Sequence, residues 1–178
     1  MDIKKHARTH QIKKLSKYLF KMLQGMRFVL FLGWPAIFFF AFFAEGMINI
    51  GDASILIETL DVFPKIFILA IFSTGLMLML SINHHFKELM LHFSHGDVFS
   101  DEVIKHARGA LKSGVFYFCL WIFQKIIGWI FIETSSPIFD IPSIADFIIA
   151  CTIFGMMYTL LWTLEIGNDL NQESEQTI

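Results

Sequence analysis

Apolar and polar segments alternate four times along the chain, and this alternation is the clearest pattern in the sequence. The apolar segments cover residues 28–48, 63–83, 113–132 and 145–164. Each is close to the roughly 20 residues that a helix needs to cross the ~30 Å hydrocarbon core of a bilayer. The pattern therefore predicts a single membrane domain of the all-α class, a bundle of four transmembrane helices.

The polar segment between the second and third spans is predicted to be helical. Apolar residues at steps of three and four continue past the second span to about residue 93. Gly96 suits a left-handed position at a helix end, and Ser100 suits a helix start. Asp101 then falls in the first turn, where the helix dipole favours acids. Residues 83–114 should therefore form a helical hairpin that projects from the membrane.

The other polar segments are predicted to be surface elements. Residues 1–27 form an amphipathic basic helix, which either lies on an anionic leaflet or runs into the first span. Residues 54–60 are expected to make a short interfacial helix. Residues 165–178 read as an acidic tail, too short and too charged to form a core.

The distribution of positive charge gives the orientation. Four spans place both termini on one side, together with the hairpin, and that side carries twelve Lys and Arg residues. The opposite side carries only Lys65. Because short cytoplasmic segments are enriched in Lys and Arg, both termini are predicted to be cytoplasmic.

Composition and motifs argue against catalysis. The chain is 55% hydrophobic and 17% charged, against roughly 25% charged in a typical soluble domain. It has no Gly-rich phosphate loop, nucleophile elbow, paired catalytic carboxylates or CxxC, so no catalytic residue and no cofactor is expected. Cys119 and Cys151 lie in apolar segments and read as buried free thiols. Direct nucleic-acid binding is not expected, since the basic segment leads straight into membrane.

Histidines provide a candidate metal or pH-sensing site in the hairpin. His85, Glu88 and His92 share one helix face, and His106 on the facing helix can approach them. Imidazole and carboxylate groups bind zinc and other divalent metals, and imidazole also titrates near neutral pH. The alternative is that these histidines are simply solvated or hydrogen-bonded at the membrane interface.

Lys125 is a charge inside the third span. Such a residue is a candidate for transport or sensing. The alternative is structural, because the side chain can extend toward the headgroups or pair with an acid of the outer loops, such as Asp61 or Asp140.

Two stretches carry a resemblance to a known family. Residues 96–108, GDVFSDEVIKHAR, and the ending ESEQTI at residues 173–178 resemble a bacterial membrane family described as domain of unknown function 2975. The resemblance implies a four-helix protein of the bacterial inner membrane with no established activity, often encoded beside a small helix-turn-helix regulator of the Cro/CI type. It makes the hairpin and the tail candidate partner-binding regions, with Phe99, Glu102, Arg108, Glu173 and Glu175 as the candidate residues.

The expected function is therefore that of a non-enzymatic, regulatory membrane protein that binds a soluble cytoplasmic partner through its hairpin and tail. One alternative is a small transporter or channel subunit, and a second is a membrane metalloprotein. Assembly into a homo-oligomer is compatible with all three.

Overall fold

Four long helices make up nearly all of the structure. The computed structural model describes residues 2–43, 47–50, 53–56, 62–131 and 144–176. The helices are α1 (Asp2–Phe43), α2 (Val62–His95), α3 (Asp101–Phe131) and α4 (Ile144–Gln176).

A small β-hairpin lies between α1 and α2. Strand β1 (Met47–Ile50) pairs antiparallel with β2 (Ala53–Leu56), with Met47 opposite Leu56. The short helix expected over residues 54–60 is therefore wrong for residues 54–56. The isoleucines of both segments favour a pleated strand over a helix, because branching at Cβ restricts the side chain in a helix.

Three of the helices are long and apolar enough to cross a membrane. They are the stretches Gln11–Phe39, Lys65–His95 and Phe147–Ser174, in α1, α2 and α4. Within the described part of the chain, α3 is not among these stretches. The chain thus has the helices of a membrane-spanning protein.

Consecutive helices pack against each other in antiparallel pairs. Residues later in α1 contact residues earlier in α2, so these two helices run in opposite directions. The pairs α2–α3 and α3–α4 are arranged in the same way. The contacts that show this are Gly33 with Leu76, Phe20 with Lys87, Ser81 with Ser113, and Gly114 with Phe154.

The best-buried side chains lie in the polar half of the molecule. We call this part the head, and it consists of residues 11–27, 83–114 and 161–176. Among the described side chains, the buried apolar ones are all in the head: Leu89, Val103, Ile104, Ala110 and Leu161. In the apolar segments, large side chains are mostly exposed, as expected of surfaces that meet lipid.

Two predicted surface elements are in fact parts of long helices. The basic segment of residues 1–27 continues without interruption into the rest of α1, so it runs into the apolar segment and does not lie flat on a leaflet. Residues 165–176 of the predicted acidic tail continue α4. Cys119 and Cys151 are free but exposed, so their predicted burial is wrong. Both lie on exposed faces of their helices.

Candidate functional site

The turn of the hairpin is a rigid, hydrogen-bonded cap. Gly96 has a φ of 90°, and its N–H donates to the carbonyl of Phe93 at 3.1 Å. The Asp97 N–H donates to the carbonyl of His92, also at 3.1 Å. This pair of bonds is the Schellman arrangement, which requires a left-handed residue and so explains the glycine.

The start of α3 is held by the same turn. The Ile104 N–H donates to the carbonyl of Ser100 at 3.1 Å, which places Ser100 at the helix start as predicted. The Ser100 hydroxyl donates to the Asp97 carboxylate at 2.9 Å. His92 also contacts that carboxylate, through Nδ1 at 2.9 Å. One acid therefore ties the end of α2 to the beginning of α3.

The end of α4 is attached to this hairpin by polar contacts. Arg108 donates from Nε and Nη2 to Glu165 Oε1, at 3.0 and 2.7 Å. Asn168, which is only 5% exposed, donates from Nδ2 to Asp101 Oδ1 at 2.9 Å. A buried amide with a satisfied donor is a specific contact, because burial without a partner would cost free energy.

An aromatic contact strengthens this attachment. The ring of Phe99 lies directly over Gly167 of α4, so that a Cβ there would come within 3.2 Å of Cζ and closer to two other ring atoms. Phe99 is therefore used inside the molecule, although part of its ring is still exposed.

A polar cleft lies between α3 and α4. It has a volume of about 540 Å³ and is lined on α3 by Asp101, Lys105 and Arg108, and on α4 by Glu165, Asn168 and Asp169. Lys105, which lines the cleft, donates to the neighbouring Glu102 at 3.2 Å, and both side chains are mostly exposed. We call this pair the rim of the cleft. Charges of both signs on a rigid frame suit the recognition of a polar, charged segment of another protein. We call this site the α3–α4 cleft.

Four histidines meet between α2 and α3. The Nδ1 atoms of His85 and His106 are 3.2 Å apart, which confirms that His106 approaches the predicted face of α2. The rings of His84 and His92 lie 6.1 and 6.2 Å from the ring of His106. Burial lowers the pKa of His106, and charge on His84 or His92 lowers it further, while Glu88 acts in the opposite direction.

The predicted metal ligands do not come together as a metal site. Glu88 contacts Lys87 Nζ at 2.8 Å, and His92 is engaged with Asp97. Within the part of the chain that the structure describes, no group of three or more His, Cys, Asp or Glu side chains is arranged to hold a metal ion.

Lys125 and the tail acids complete the predicted residues. The Lys125 amine lies 5.9 Å from the centre of the Trp121 ring, within range of a cation–π contact. Asp61 and Asp140, its proposed partners, are outside the described residues. Glu173 is exposed on α4, whereas the side chain of Glu175 is outside the described set.

Sequence reasoning missed Glu165 and Asn168, the residues that attach α4 to the hairpin. A signal was available, since Leu161, Glu165 and Asn168 share one helix face at steps of four and three. The charge of the segment obscured it, because a run of acids is usually a solvated end.

Comparison with known proteins adds no relative. No protein-family model, curated protein or solved structure matches the chain. Function must therefore be argued from the chain's own geometry.

Proposed function

We propose that the chain is a four-span protein of the bacterial inner membrane, non-enzymatic, with both termini in the cytoplasm, and that its head binds a soluble partner protein. The α3–α4 cleft is the observation that carries this proposal. It is polar, charged at its rim and built on packed helices outside the apolar segments. Such a surface fits protein recognition better than transport or catalysis.

The order of the helices supports the fourth span. α2 ends and α3 begins at the hairpin turn, while the last part of α4 passes the start of α3 at Asn168. α3 must therefore lead away from the head and return the chain to the far side of the membrane before α4. Its 31 residues correspond to about 46 Å of helix, of which about 25 Å follow the head, close to the ~30 Å of a bilayer core.

The charge distribution supports the orientation. Twelve of the fourteen Lys and Arg residues lie on the side of the head, against Lys65 on the other side. The positive-inside rule then assigns the head to the cytoplasm, where a soluble regulator is available.

The resemblance described above indicates which partner to test first. It suggests a small helix-turn-helix transcriptional regulator encoded beside this gene. The head would hold that regulator at the membrane, without binding nucleic acid itself. No comparable observation supports the transporter or the metalloprotein alternative. Lys125 is the only charged residue between positions 113 and 132. Within the described residues, the histidines are not arranged to hold a metal ion.

A capture experiment tests the proposal. Tagged protein in detergent is mixed with the purified regulator, and the parent chain is compared with Lys105→Glu and Glu102→Lys. Both substitutions reverse a charge at the rim of the cleft without touching a buried group. Gln11→Glu, on the opposite outer helix, is the matched control.

The expected result is strong capture by the parent and the control, and weak capture by the two rim variants. Equal capture by all four proteins would show that the cleft is not the binding surface. No capture by the parent would remove this class of partner.

A further inference from the structure

The two outer helices of the head each expose a row of apolar side chains next to a row of charges. On α1 the apolar row is Leu15, Tyr18 and Met22, and on α4 it is Trp162, Ile166 and Leu170. All six side chains are between 48% and 67% exposed. Exposed apolar rows of this kind commonly mark interaction surfaces.

The charges beside the two rows are opposite. Lys14, Lys17 and Lys21 follow the apolar row on α1 and are exposed. Asp169 and Glu173 follow the apolar row on α4, in a segment of residues 165–178 that carries four acids and no base. An apolar row with basic flanks on one helix and acidic flanks on another is the pattern that pairs helices through a seam with charged edges.

The two rows also lie at the same height in the head. Lys13 of α1 lies over Gly96 in the hairpin turn, and Gly167 of α4 lies under Phe99 of the same turn. Closer to the membrane, Phe20 of α1 lies beside Lys87 of α2. Lys87 is two residues from His85 in the sequence. His85 of α2 contacts His106 of α3, and Arg108, two residues further along α3, reaches Glu165 of α4.

This match in height matters because copies of one membrane protein share one orientation and one depth in the bilayer. Any contact between two copies must therefore join residues at equal heights. α1 runs toward the apolar segments and α4 runs away from them, so the two rows would meet antiparallel. Tyr18 would then face Ile166, and Met22 would face Trp162.

We propose that the basic apolar row of α1 docks on the acidic apolar row of α4 in a second copy of the chain. With a two-fold axis along the membrane normal, the same contact forms twice, α1 with the partner's α4 and α4 with the partner's α1. Such a closed arrangement covers both rows.

Cross-linking between differently tagged chains tests the proposal. In a background with Cys119→Ser and Cys151→Ser, one chain carries Tyr18→Cys and the other carries Ile166→Cys, and both are oxidised in native membranes. The control pairs Tyr18→Cys with Ile153→Cys, which is also exposed on α4 but lies thirteen residues away, about 20 Å along the helix.

The expected result is a dimer-sized product with both tags for the matched pair, and loss of that product for the control pair. Adding Lys17→Glu and Lys21→Glu should also abolish the matched product, and Asp169→Lys in the other chain should restore it. No product, or equal product from both pairs, would overturn the proposal. A chain carrying both cysteines that yields only an intrachain link would show that the head closes on itself, and would overturn it too.

Discussion

Replacing Gly109 with alanine should loosen the seam between α2 and α3. Gly109 lies on α3 with the ring of His85 packed directly on its backbone. A Cβ at this position would lie 2.8 Å from His85 Nδ1 and closer still to Cε1 and Nε2. Real side chains do not approach so closely, so the ring must move and its contact with His106 Nδ1 must break.

Three effects set the change in the free energy of unfolding, one stabilising and two destabilising. Alanine is a better helix former than glycine by roughly 1 kcal/mol. Overpacking a well-filled site costs about 1–3 kcal/mol, and the lost hydrogen bond costs about 0.5–1.5 kcal/mol more. The steric and hydrogen-bond losses outweigh the gain in propensity, so Gly109→Ala should lower the free energy of unfolding by about 0.5–3.5 kcal/mol.

Thermal unfolding of the purified protein in detergent, followed by circular dichroism, measures this loss. A chain of this length should lose about 2–4 °C in Tm for each kcal/mol. Gly155→Ala is the matched control, because nothing lies within 4 Å of its Cβ position and only the gain in helix propensity remains. The reasoning would be refuted if Gly109→Ala were as stable as Gly155→Ala.

Three further predictions concern the hairpin and the end of α4. Arg108→Ala should speed amide hydrogen exchange in residues 165–176 and lower the free energy of unfolding by about 0.2–1 kcal/mol. The exchanged pair Arg108→Glu with Glu165→Arg should restore slow exchange. Unchanged exchange in Arg108→Ala would contradict this prediction. Because the folded protein keeps the pKa of His106 low, the unfolded chain binds more protons, so Tm should fall as pH drops below about 6.5, and His106→Gln should flatten that dependence. Gly96→Ala should lower Tm, since alanine strains at a φ of 90°; an unchanged Tm would show that the turn rearranges freely.

Periodicity predicted the helices well because it responds to what each residue faces. The apolar steps past residue 83 predicted that α2 continues to about residue 93, and it ends at His95. Gly96 and Ser100 marked the turn, since left-handed backbone and helix starts select particular residues. These are local preferences, and a single sequence displays them directly.

The structure at the end of α4 could not be predicted from local preferences. Its helix is stabilised by contacts with residues about 60 positions earlier in the chain, Asp101 with Asn168 and Arg108 with Glu165. Pairing over such separations depends on how the helices are arranged. The basic segment of α1 also depends on the arrangement of the helices, since it contacts α2 through pairs such as Phe20 with Lys87.

The histidines show a third case. Their spacing predicted that they share a helix face, and His106 does approach His85. Spacing could not show that His92 is engaged by Asp97 or Glu88 by Lys87. Competing partners decide whether a set of ligand-type residues is available to a metal, and such competition appears only in three dimensions.

The central claim is that the end of α4 packs on the hairpin in a head on the cytoplasmic side. It is tested most directly by Asp101→Cys and Asn168→Cys in a chain with Cys119→Ser, using a short thiol cross-linker in native membranes and mass spectrometry of the linked peptides. Cys151 is kept as an internal control, seventeen residues from position 168 and about 26 Å along α4. We expect an intrachain link between positions 101 and 168, none from 101 to 151, and reaction with membrane-impermeant reagents only from the inner face. Absence of the link from 101 to 168, or labelling of position 101 from outside, would contradict it.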